Sequence, residues 1–360
     1  MSEKAVLAAA IAFLAAWFPA LAGTPTSPTP TASLASISVQ RIFKDTLPSV
    51  ADYSQTAHSQ AQAPSPAIGS ETGLASPICG ASICGPNSNW VMWDTPFMQF
   101  DRRDADSADF GYKFRSDGFA TGISRLFGEY AAVGLALGYD RRKLDGKDNA
   151  PQRSKGDAFH AAIYGGAGFG SLFVDAYAGF SWTSERGNNG AAAAISSNYG
   201  DSIFSGGIKA SYVLTIAQEI RLVPHIGFDY SHLRNGSYNE GGAGGQAVKA
   251  ASHDFAQIPL GVAINKTFSS DFLNYAGNPS LWTPEIRAAF TPQIGSQRIR
   301  NEYWSGQDFT AGNAGRYLAS AGAGLKVQIN DRFILGVDYD CRLAKKYRSH
   351  VITGTYGISF

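Results

Sequence analysis

Residues 90–360 alternate apolar residues with small or polar ones along most of their length. The stretch 133–140, VGLALGYD, is an example. Successive side chains of a β-strand point to opposite faces, so this pattern predicts strands with one apolar face and one small or polar face. No apolar run in this segment approaches the roughly 20 residues that a membrane-spanning helix needs. The alternation therefore excludes helical membrane spans and predicts an all-β domain.

The spacing of these stretches predicts twelve strands in up-and-down order. Each strand with its connection takes up about 22 residues, enough for the roughly 10 membrane-embedded residues of a barrel strand. Short connections alternate with long polar ones, as expected for a closed barrel with tight turns at one rim and long loops at the other. The connection at 267–280 is the exception, because it is long on the short-turn side. The predicted strands are 90–103, 112–128, 131–147, 155–169, 171–186, 200–216, 220–236, 254–268, 280–294, 315–329, 332–348 and 349–360.

The two faces of these strands distinguish a transmembrane barrel from a soluble β-sandwich. Aromatic residues such as Tyr139, Trp182 and Tyr339 lie toward strand ends on the apolar face, where a membrane barrel carries its aromatic girdles. Charges on the opposite face would each need a buried partner in a dry core, whereas in a barrel they meet water or one another. The side chains predicted to line the pore are Asp140, Asp175, Lys209, Arg221, His225, Asp229, Lys326, Asp338 and Asp340.

Composition agrees with a lipid-facing wall. Charged residues make up only 16% of the chain, and glycine is frequent, at 40 of 360 residues. Several glycines fall on the predicted inner face, Gly134 and Gly207 among them. A net charge of +1 provides no electrostatic surface for nucleic acid, so nucleic-acid binding is excluded as a function.

The first 89 residues differ from the rest in composition. Residues 1–22 contain an apolar run that ends in Ala-Leu-Ala, which indicates a secretory signal peptide; an uncleaved membrane anchor is the alternative. Residues 23–89 are rich in Pro, Ser, Thr and Ala and nearly free of aromatics, so we expect a short disordered leader, with a short helix at most in 36–51. Cys79 and Cys84 can form a disulfide in an oxidising compartment or remain unpaired.

No sequence motif points to catalysis, a cofactor or a metal. The chain contains no GxSxG, HExxH or glycine-rich phosphate loop. His225 and His232 are the histidines weighed for a hydrolase site, and we interpret His225 with Asp229 as an inner-face hydrogen-bonding pair. Cys341 is predicted to face lipid. The Gly/Ala-rich stretches 187–194 and 241–250 are predicted to be flexible outer loops.

The order of these stretches resembles the autotransporter β-domain, the translocator barrel of type V secretion. The resemblance runs through WVMWDTPFMQFDRR, DGFATGISRLFGEYAAVGLALGYDRR and HAAIYGGAGFGSLFVDAYAGFSW. It continues through IRLVPHIGFDYS and LWTPEIRAAF, each with a proline inside a strand, and then through AGAGLKVQI and the terminal TYGISF. The terminal segment is similar to the C-terminal signal that such barrels present to their assembly machinery, which implies this role for Tyr356, Ile358 and Phe360.

The resemblance implies an outer-membrane protein of a Gram-negative bacterium. Its implied partners are outer-membrane lipid, the barrel-assembly machinery and periplasmic chaperones. Its implied function is to translocate a short N-terminal segment or anchor it at the cell surface. Members usually carry a long passenger, and many thread a helix through the pore, but here 23–89 is short and its end is rich in proline. The alternative is a stand-alone porin-like or adhesive barrel, and a barrel hydrolase is a third hypothesis.

Overall fold

The fold is described from a computed structural model. It describes residues 90–105, 111–127, 131–147, 152–189, 195–217, 220–241, 246–275, 278–295, 298–305, 308–312, 316–329 and 333–359. The predicted signal peptide, leader, leader helix and Cys79–Cys84 pair lie outside these residues, as does Phe360. Within them, no helix is long and apolar enough to span a membrane.

Twelve antiparallel strands form a closed barrel, which confirms the predicted fold. Two strands are interrupted: β6 continues in Leu214–Ala217, and β8 consists of three segments. The strands are β1 Trp90–Arg103, β2 Tyr112–Phe127, β3 Ala131–Gly146, β4 Gln152–Phe169, β5 Leu172–Asn189, β6 Ile195–Tyr212, β7 Ile220–Asn235, β8 Ala251–Gln257 with Leu260–Lys266 and Phe268–Tyr275, β9 Asn278–Gly295, β10 Tyr317–Ile329, β11 Phe333–Ala344 and β12 Tyr347–Ser359.

The barrel closes between its first and last strands. Val91 lies opposite Ser359 at one end of this pair, and Arg103 lies opposite Tyr347 at the other. Both ends of the barrel segment therefore lie at one rim, which we call the turn rim because the connections there are short. The opposite rim carries the longer connections and is called the loop rim. This is the arrangement that the alternating connection lengths predict.

The predicted long connection at 267–280 is wrong. The eighth strand runs on to Tyr275 and the ninth begins at Asn278, so two residues connect them at the turn rim. Phe268 pairs with Trp282 and Ser270 with Ser280 across this extended hairpin. The polar residues that suggested a loop belong to strand ends beyond the apolar band, where a barrel wall no longer meets hydrocarbon.

Both prolines predicted inside strands lie opposite interruptions in a neighbouring strand. Pro224 faces the break at Val213, between the two segments of the sixth strand. Pro284 lies beside the break at Thr267 in the eighth strand. Proline has no N–H to donate to a sheet ladder, so it is tolerated where the partner strand is irregular. Because the neighbouring strands are irregular at these points, Pro224 and Pro284 can lie inside strands of a closed barrel.

Burial alternates along the strands as the sequence predicts. In the third strand, Leu135 and Leu137 are 61% and 63% exposed, whereas Ala136 between them is 2% exposed. The exposed set includes Phe159, Phe180 and Trp182, and these side chains form the apolar outer wall. Cys341 is half-buried and shares the outward side of its strand with Tyr339.

The long loops carry more structure than expected. Tyr238–Gly241 pairs with Ala247–Val248, and Arg298–Glu302 pairs with Asp308–Gly312. The two hairpins meet where Lys249 Nζ lies 2.7 Å from Glu302 Oε1. The stretch 246–249 is thus ordered by docking against the second hairpin, which corrects the flexible-loop prediction for that part. Packing between hairpins distant in sequence is not visible in a Gly/Ala-rich composition.

Candidate functional site in the barrel interior

All nine predicted pore-lining residues lie on the inward side of their strands, although a pore-lining role stays a prediction. Three of them are buried, with exposures of 0% for Asp140, 4% for Arg221 and 8% for Asp229. Lys209 Nζ lies 3.6 Å from Asp175 Oδ2. The remaining four are partly buried: His225, Lys326, Asp338 and Asp340.

Arg287 binds two of the predicted carboxylates from two strands away. Its Nε and Nη2 donate to Asp340 Oδ1 and Oδ2 at 2.9 and 2.6 Å, and its Nη1 donates to Asp338 Oδ1 at 2.7 Å. Nη1 also donates to Glu285 at 3.3 Å. Such a bidentate pair is stronger and more directional than a single contact between neutral groups. One guanidinium thus holds together three carboxylates on the ninth and eleventh strands.

The tenth strand makes this contact sterically allowed because it has glycines at the crossing point. Gly322 lies directly between Arg287 and Asp340 in the register. A Cβ added to Gly322 would overlap the Asp340 carboxylate and lie 2.8 Å from Arg287 Nε. The inner-face glycine therefore provides the space in which a side chain from one neighbour reaches the other.

A second ionic cluster lies on the third to fifth strands. Arg142 Nε donates to Asp140 Oδ2 at 2.9 Å, and its Nη1 lies 3.5 Å from Glu185 Oε1. The side chains of all three residues are at most 2% exposed. Glu185 also accepts from Ser154 at 2.6 Å and from Tyr199 at 2.9 Å. Because these charges are buried, breaking one of the pairs would lower the stability of the barrel far more than breaking an ion pair on the surface.

His160 connects this cluster to Ser181. One ring nitrogen, Nε2, lies 2.6 Å from Asp140 Oδ1, and the other, Nδ1, lies 2.7 Å from Ser181 Oγ. The exposures of His160 and Ser181 are 3% and 2%. A serine, a histidine and an aspartate in hydrogen-bonding series are the elements of a hydrolase triad. His225 and His232 were the histidines considered for a hydrolase site, so this arrangement was not predicted.

The two histidines considered for a hydrolase site, His225 and His232, both lie on the seventh strand. His232 lies on the outer face, with Nδ1 2.9 Å from Asp254 Oδ1. Asp229 accepts a hydrogen bond at 3.2 Å from the hydroxyl of Tyr177, two strands away. His225 lies over Gly261 of the eighth strand, where an added Cβ would lie 2.5 Å from its Nε2.

A third interior cluster is aromatic. Trp93 Nε1 donates to Tyr164 Oη at 2.5 Å, and Ser124 Oγ lies 2.5 Å from the same oxygen. The Trp93 and Tyr164 rings meet edge to face, with centroids 6.0 Å apart. Tyr164 reaches these partners across Gly134, where an added Cβ would lie 2.5 Å from the hydroxyl oxygen. The cluster thereby fastens the fourth strand to the first and second.

We expect Gly134→Val to lower the free energy of unfolding by about 2 kcal/mol, through overpacking and loss of the Tyr164 hydrogen bonds. Urea unfolding of the reconstituted barrel, followed by tryptophan fluorescence, measures this change. Gly206→Val is the matched control, because Gly206 faces outward and its nearest neighbour for an added Cβ is Tyr177 O at 3.4 Å. Equal stability of the two variants would contradict the crossing role of Gly134.

Three groups that hold the interior together are absent from the predicted pore lining: Arg142, Glu185 and Arg287. Strand parity alone could have found all three, because each falls on the inward side of a predicted strand. His160, Trp93 and Tyr164 share that signal. Their partners on other strands could not be found this way, since those contacts depend on the register between strands.

Asp104, at the loop rim, carries a perturbed pKa. Hydrogen bonds from Lys147, at 2.8 Å, and from Arg102, at 3.2 Å, lower the pKa of Asp104 from 3.8 to about 2. The folded-state pKa is depressed, so the stabilisation is present above the unfolded value and is lost as pH falls from about 4 to about 2. The contact joins the connection after the first strand to the end of the third.

We expect an NMR titration of Asp104 in the folded barrel to show a midpoint near pH 2. In Lys147→Gln the midpoint should move toward 3.8, because the largest cause of the shift is removed. Arg102→Gln should move it less. A midpoint unchanged in Lys147→Gln would mean that this contact does not form in solution.

Comparison with known proteins agrees with the fold. The family model of the autotransporter beta-domain matches residues 92–340. Among curated proteins, an extracellular serine protease of Serratia marcescens is 26% identical over 251 residues, covering 67% of this chain and 23% of that protein. Outer membrane protein B of Rickettsia japonica is 20% identical over 319 residues, covering 81% of this chain and 18% of that protein. The chain thus spans about a fifth of the length of these relatives.

Solved structures of similar fold include autotransporter barrels. The translocator domain of the autotransporter NalP from Neisseria meningitidis matches with a TM-score of 0.61 at 15% identity, covering 76% of this chain and 89% of that one. The beta domain of the Bordetella autotransporter BrkA matches with a TM-score of 0.55 at 14% identity, covering 76% of this chain and 100% of that one. The family model covers more than half of the chain, and this protein therefore belongs to the autotransporter β-domain family of Gram-negative outer-membrane barrels.

Proposed function

We propose that this barrel translocates residues 23–89 and displays or anchors them at the cell surface. The observation that carries the proposal is the closed barrel whose first strand begins at the turn rim and whose inner face is polar and charged. In outer-membrane barrels short turns lie on the periplasmic side, so the leader joins the wall there and must pass the barrel to reach the exterior. Inner-face hydroxyls, carboxylates and guanidinium groups suit passage of a polar Ser/Thr-rich chain.

Protease accessibility on intact cells tests this proposal. A protease-cleavable tag inserted near residue 60 should be cut by added protease. The same tag between Gly241 and Gln246, at the loop rim, should also be cut, whereas a tag in the 128–130 turn should be protected. Protection of the leader tag while the loop tag is cut would overturn translocation and favour the stand-alone barrel.

We propose that the last strand presents the assembly signal to the barrel-assembly machinery, with periplasmic chaperones delivering the chain. Tyr356 and Ile358 lie on the outward side of this strand, and Tyr356 is 40% exposed. Deleting Phe360 should reduce the fraction of the protein with heat-modifiable gel migration several-fold. Deleting Ser2 in the same expression system is the control, and equal folded fractions of the two variants would contradict the role of Phe360.

The leader proposals can be tested by mass spectrometry. We propose that residues 1–22 are a cleaved signal peptide, so the mature protein should begin after Ala22. An intact mass that includes these residues would support a membrane anchor instead. We propose a Cys79–Cys84 disulfide, which predicts that alkylation before reduction modifies Cys341 alone.

We further propose that the Ser181–His160–Asp140 series supports the wall rather than catalysing hydrolysis. Asp140 is paired with Arg142, and Ser181 is 2% exposed within an unbroken ladder, so its hydroxyl is shielded from a substrate carbonyl. Ser181→Ala should leave the surface proteins of intact cells unchanged and alter only barrel stability. Loss of a cleavage product in this variant would overturn the proposal.

A further inference from the structure

Four basic side chains form an unbroken row across the outside of the barrel. Each pair is in direct register, with Arg115 opposite Lys143, Lys143 opposite Lys155 and Lys155 opposite Arg186. All four are exposed, and all lie on the outward side of their strands. We call this set the basic row. Neighbouring strands are about 4.8 Å apart, so four positive charges lie side by side near the loop rim.

Beneath the basic row lies a row of aromatic rings on the same strands. Its register is equally direct, and two neighbouring ring pairs have centroids 6.4 and 5.2 Å apart. It consists of Phe119, Tyr139, Phe159 and Trp182. Each ring is four residues from its basic neighbour, about 13 Å along the strand. Aromatic rings on a barrel exterior mark the edge of the hydrocarbon layer, so the basic row lies at headgroup height.

Charge on this part of the exterior is unbalanced. Beyond the aromatic row, β2 to β5 carry seven outward basic side chains against three acidic ones, Asp117, Asp145 and Asp157. The acids pair locally, with Arg115 Nε 3.1 Å from Asp117 and Lys143 Nζ 2.8 Å from Asp145. Among the residues that the structure describes, Lys155 and Arg186 have no ion pair. Like charges directly opposite each other on a sheet are destabilising. An anion bound from outside the barrel would reduce the repulsion within the basic row.

The excess does not run around the whole barrel, although outward arginines also lie near the loop rim at Arg102, Arg234 and Arg348. At corresponding positions near the loop rim, the outward residues of the ninth to eleventh strands are Ile294, Tyr317 and Leu343. A general belt of interfacial lysine and arginine would run around the whole circumference. A row of four basic residues that has no counterpart on the ninth to eleventh strands indicates a localised ligand rather than average contact with the headgroup layer.

We propose that the basic row binds clustered phosphate groups of the lipid in the outward-facing leaflet of the outer membrane. The side chains point away from the barrel axis directly above lipid-facing rings, so a membrane lipid is the molecule that lies next to them. Lysine and arginine are the natural partners of phosphate oxygens, and each basic side chain at a membrane surface strengthens binding of anionic lipid several-fold. Arg115 is held over the Phe100 ring, 5.6 Å from its centroid, which orients one end of the row.

Native mass spectrometry of the full chain in zwitterionic detergent tests the proposal, with bisphosphorylated lipid A as the probe. The wild type should retain this lipid in preference to the same lipid stripped of its phosphates. Lys155→Gln combined with Arg186→Gln should weaken retention about 10- to 30-fold, because two phosphate partners are lost. The matched control is Arg234→Gln combined with Lys345→Gln, which removes two exposed charges elsewhere and should change retention less than about twofold.

Three outcomes would overturn the inference: equal retention by the basic-row variant and the wild type, equal retention of the dephosphorylated lipid, or displacement of the lipid by inorganic pyrophosphate at equal phosphate concentration. Displacement by pyrophosphate would show that the basic row binds free anions and not a membrane lipid. Heat-modifiable migration verifies that both variants are folded. If the double variant does not fold, Lys155→Gln alone can be measured instead, and its retention of the lipid should fall about fivefold. The inference depends on the barrel and its orientation and is independent of whether the leader is translocated.

Discussion

Replacing Arg142 with methionine should lower the free energy of unfolding of the barrel by about 4 kcal/mol, because a buried ion pair is broken by removing one partner. Asp140 and Glu185, which are 0% and 1% exposed at their side chains, would lose the guanidinium they share. Methionine roughly preserves the volume of the side chain, so the loss reports charge rather than a cavity. Urea unfolding in lipid vesicles, followed by tryptophan fluorescence, measures the difference.

The neighbouring Arg141 provides a matched control. Its side chain is 74% exposed on the outward side of the same strand, 3.8 Å from Asp157. Exposed pairs of this kind contribute at most about 1 kcal/mol, so Arg141→Met should be close to the wild type. Adding Glu185→Gln to Arg142→Met should recover part of the loss, because one uncompensated charge is removed. Equal losses in the two arginine variants would contradict a role for the buried cluster.

Arg287→Met should lower the free energy of unfolding by about 3 kcal/mol at neutral pH. The change leaves Asp338, Asp340 and Glu285 close together without their cation. The Arg287 side chain is 25% exposed, so water screens part of the repulsion and the loss should be smaller than for Arg142.

Removing the carboxylate charges that Arg287 contacts tests whether the expected loss of stability comes from unpaired charge or from lost packing. In Asp338→Asn combined with Asp340→Asn, the further change Arg287→Met should cost far less than in the wild type, as in a double-mutant cycle. Gly322→Val should imitate Arg287→Met, since the valine side chain would occupy the space through which the guanidinium reaches Asp340. An additive result in the cycle would show that the residues do not act through this contact.

Much of the barrel can be predicted from the sequence because its determinants are local. Strand positions follow from the period of two, and the inward or outward direction of Asp140, Asp229 or Leu137 follows from parity. Connection lengths determine the up-and-down order. The wrong prediction of a long connection at 267–280 has the same origin. A strand end beyond the apolar band is polar, and hydrophobic alternation does not distinguish it from a loop.

The hydrogen bonds of the barrel interior could be predicted from the sequence less well than the strands. The pairing of His225 with Asp229 stays a prediction, and the hydrogen bond that Tyr177 donates to Asp229 from another strand was not predicted. His160 and Ser181 are 21 residues apart, and Arg287 and Asp340 are 53 apart. Their pairing depends on the relative register of strands.

The sequence by itself therefore determined the strand count, the closed up-and-down topology and the face on which each charge lies, since a two-residue period acts within one strand. Only the tertiary structure decided which charges meet, because a side chain that crosses a glycine to a partner two strands away needs both registers to be set. The same holds for the basic row. Arg115, Lys143, Lys155 and Arg186 are unremarkable in sequence, and only the alignment of four strands brings them side by side at the height of the lipid headgroups.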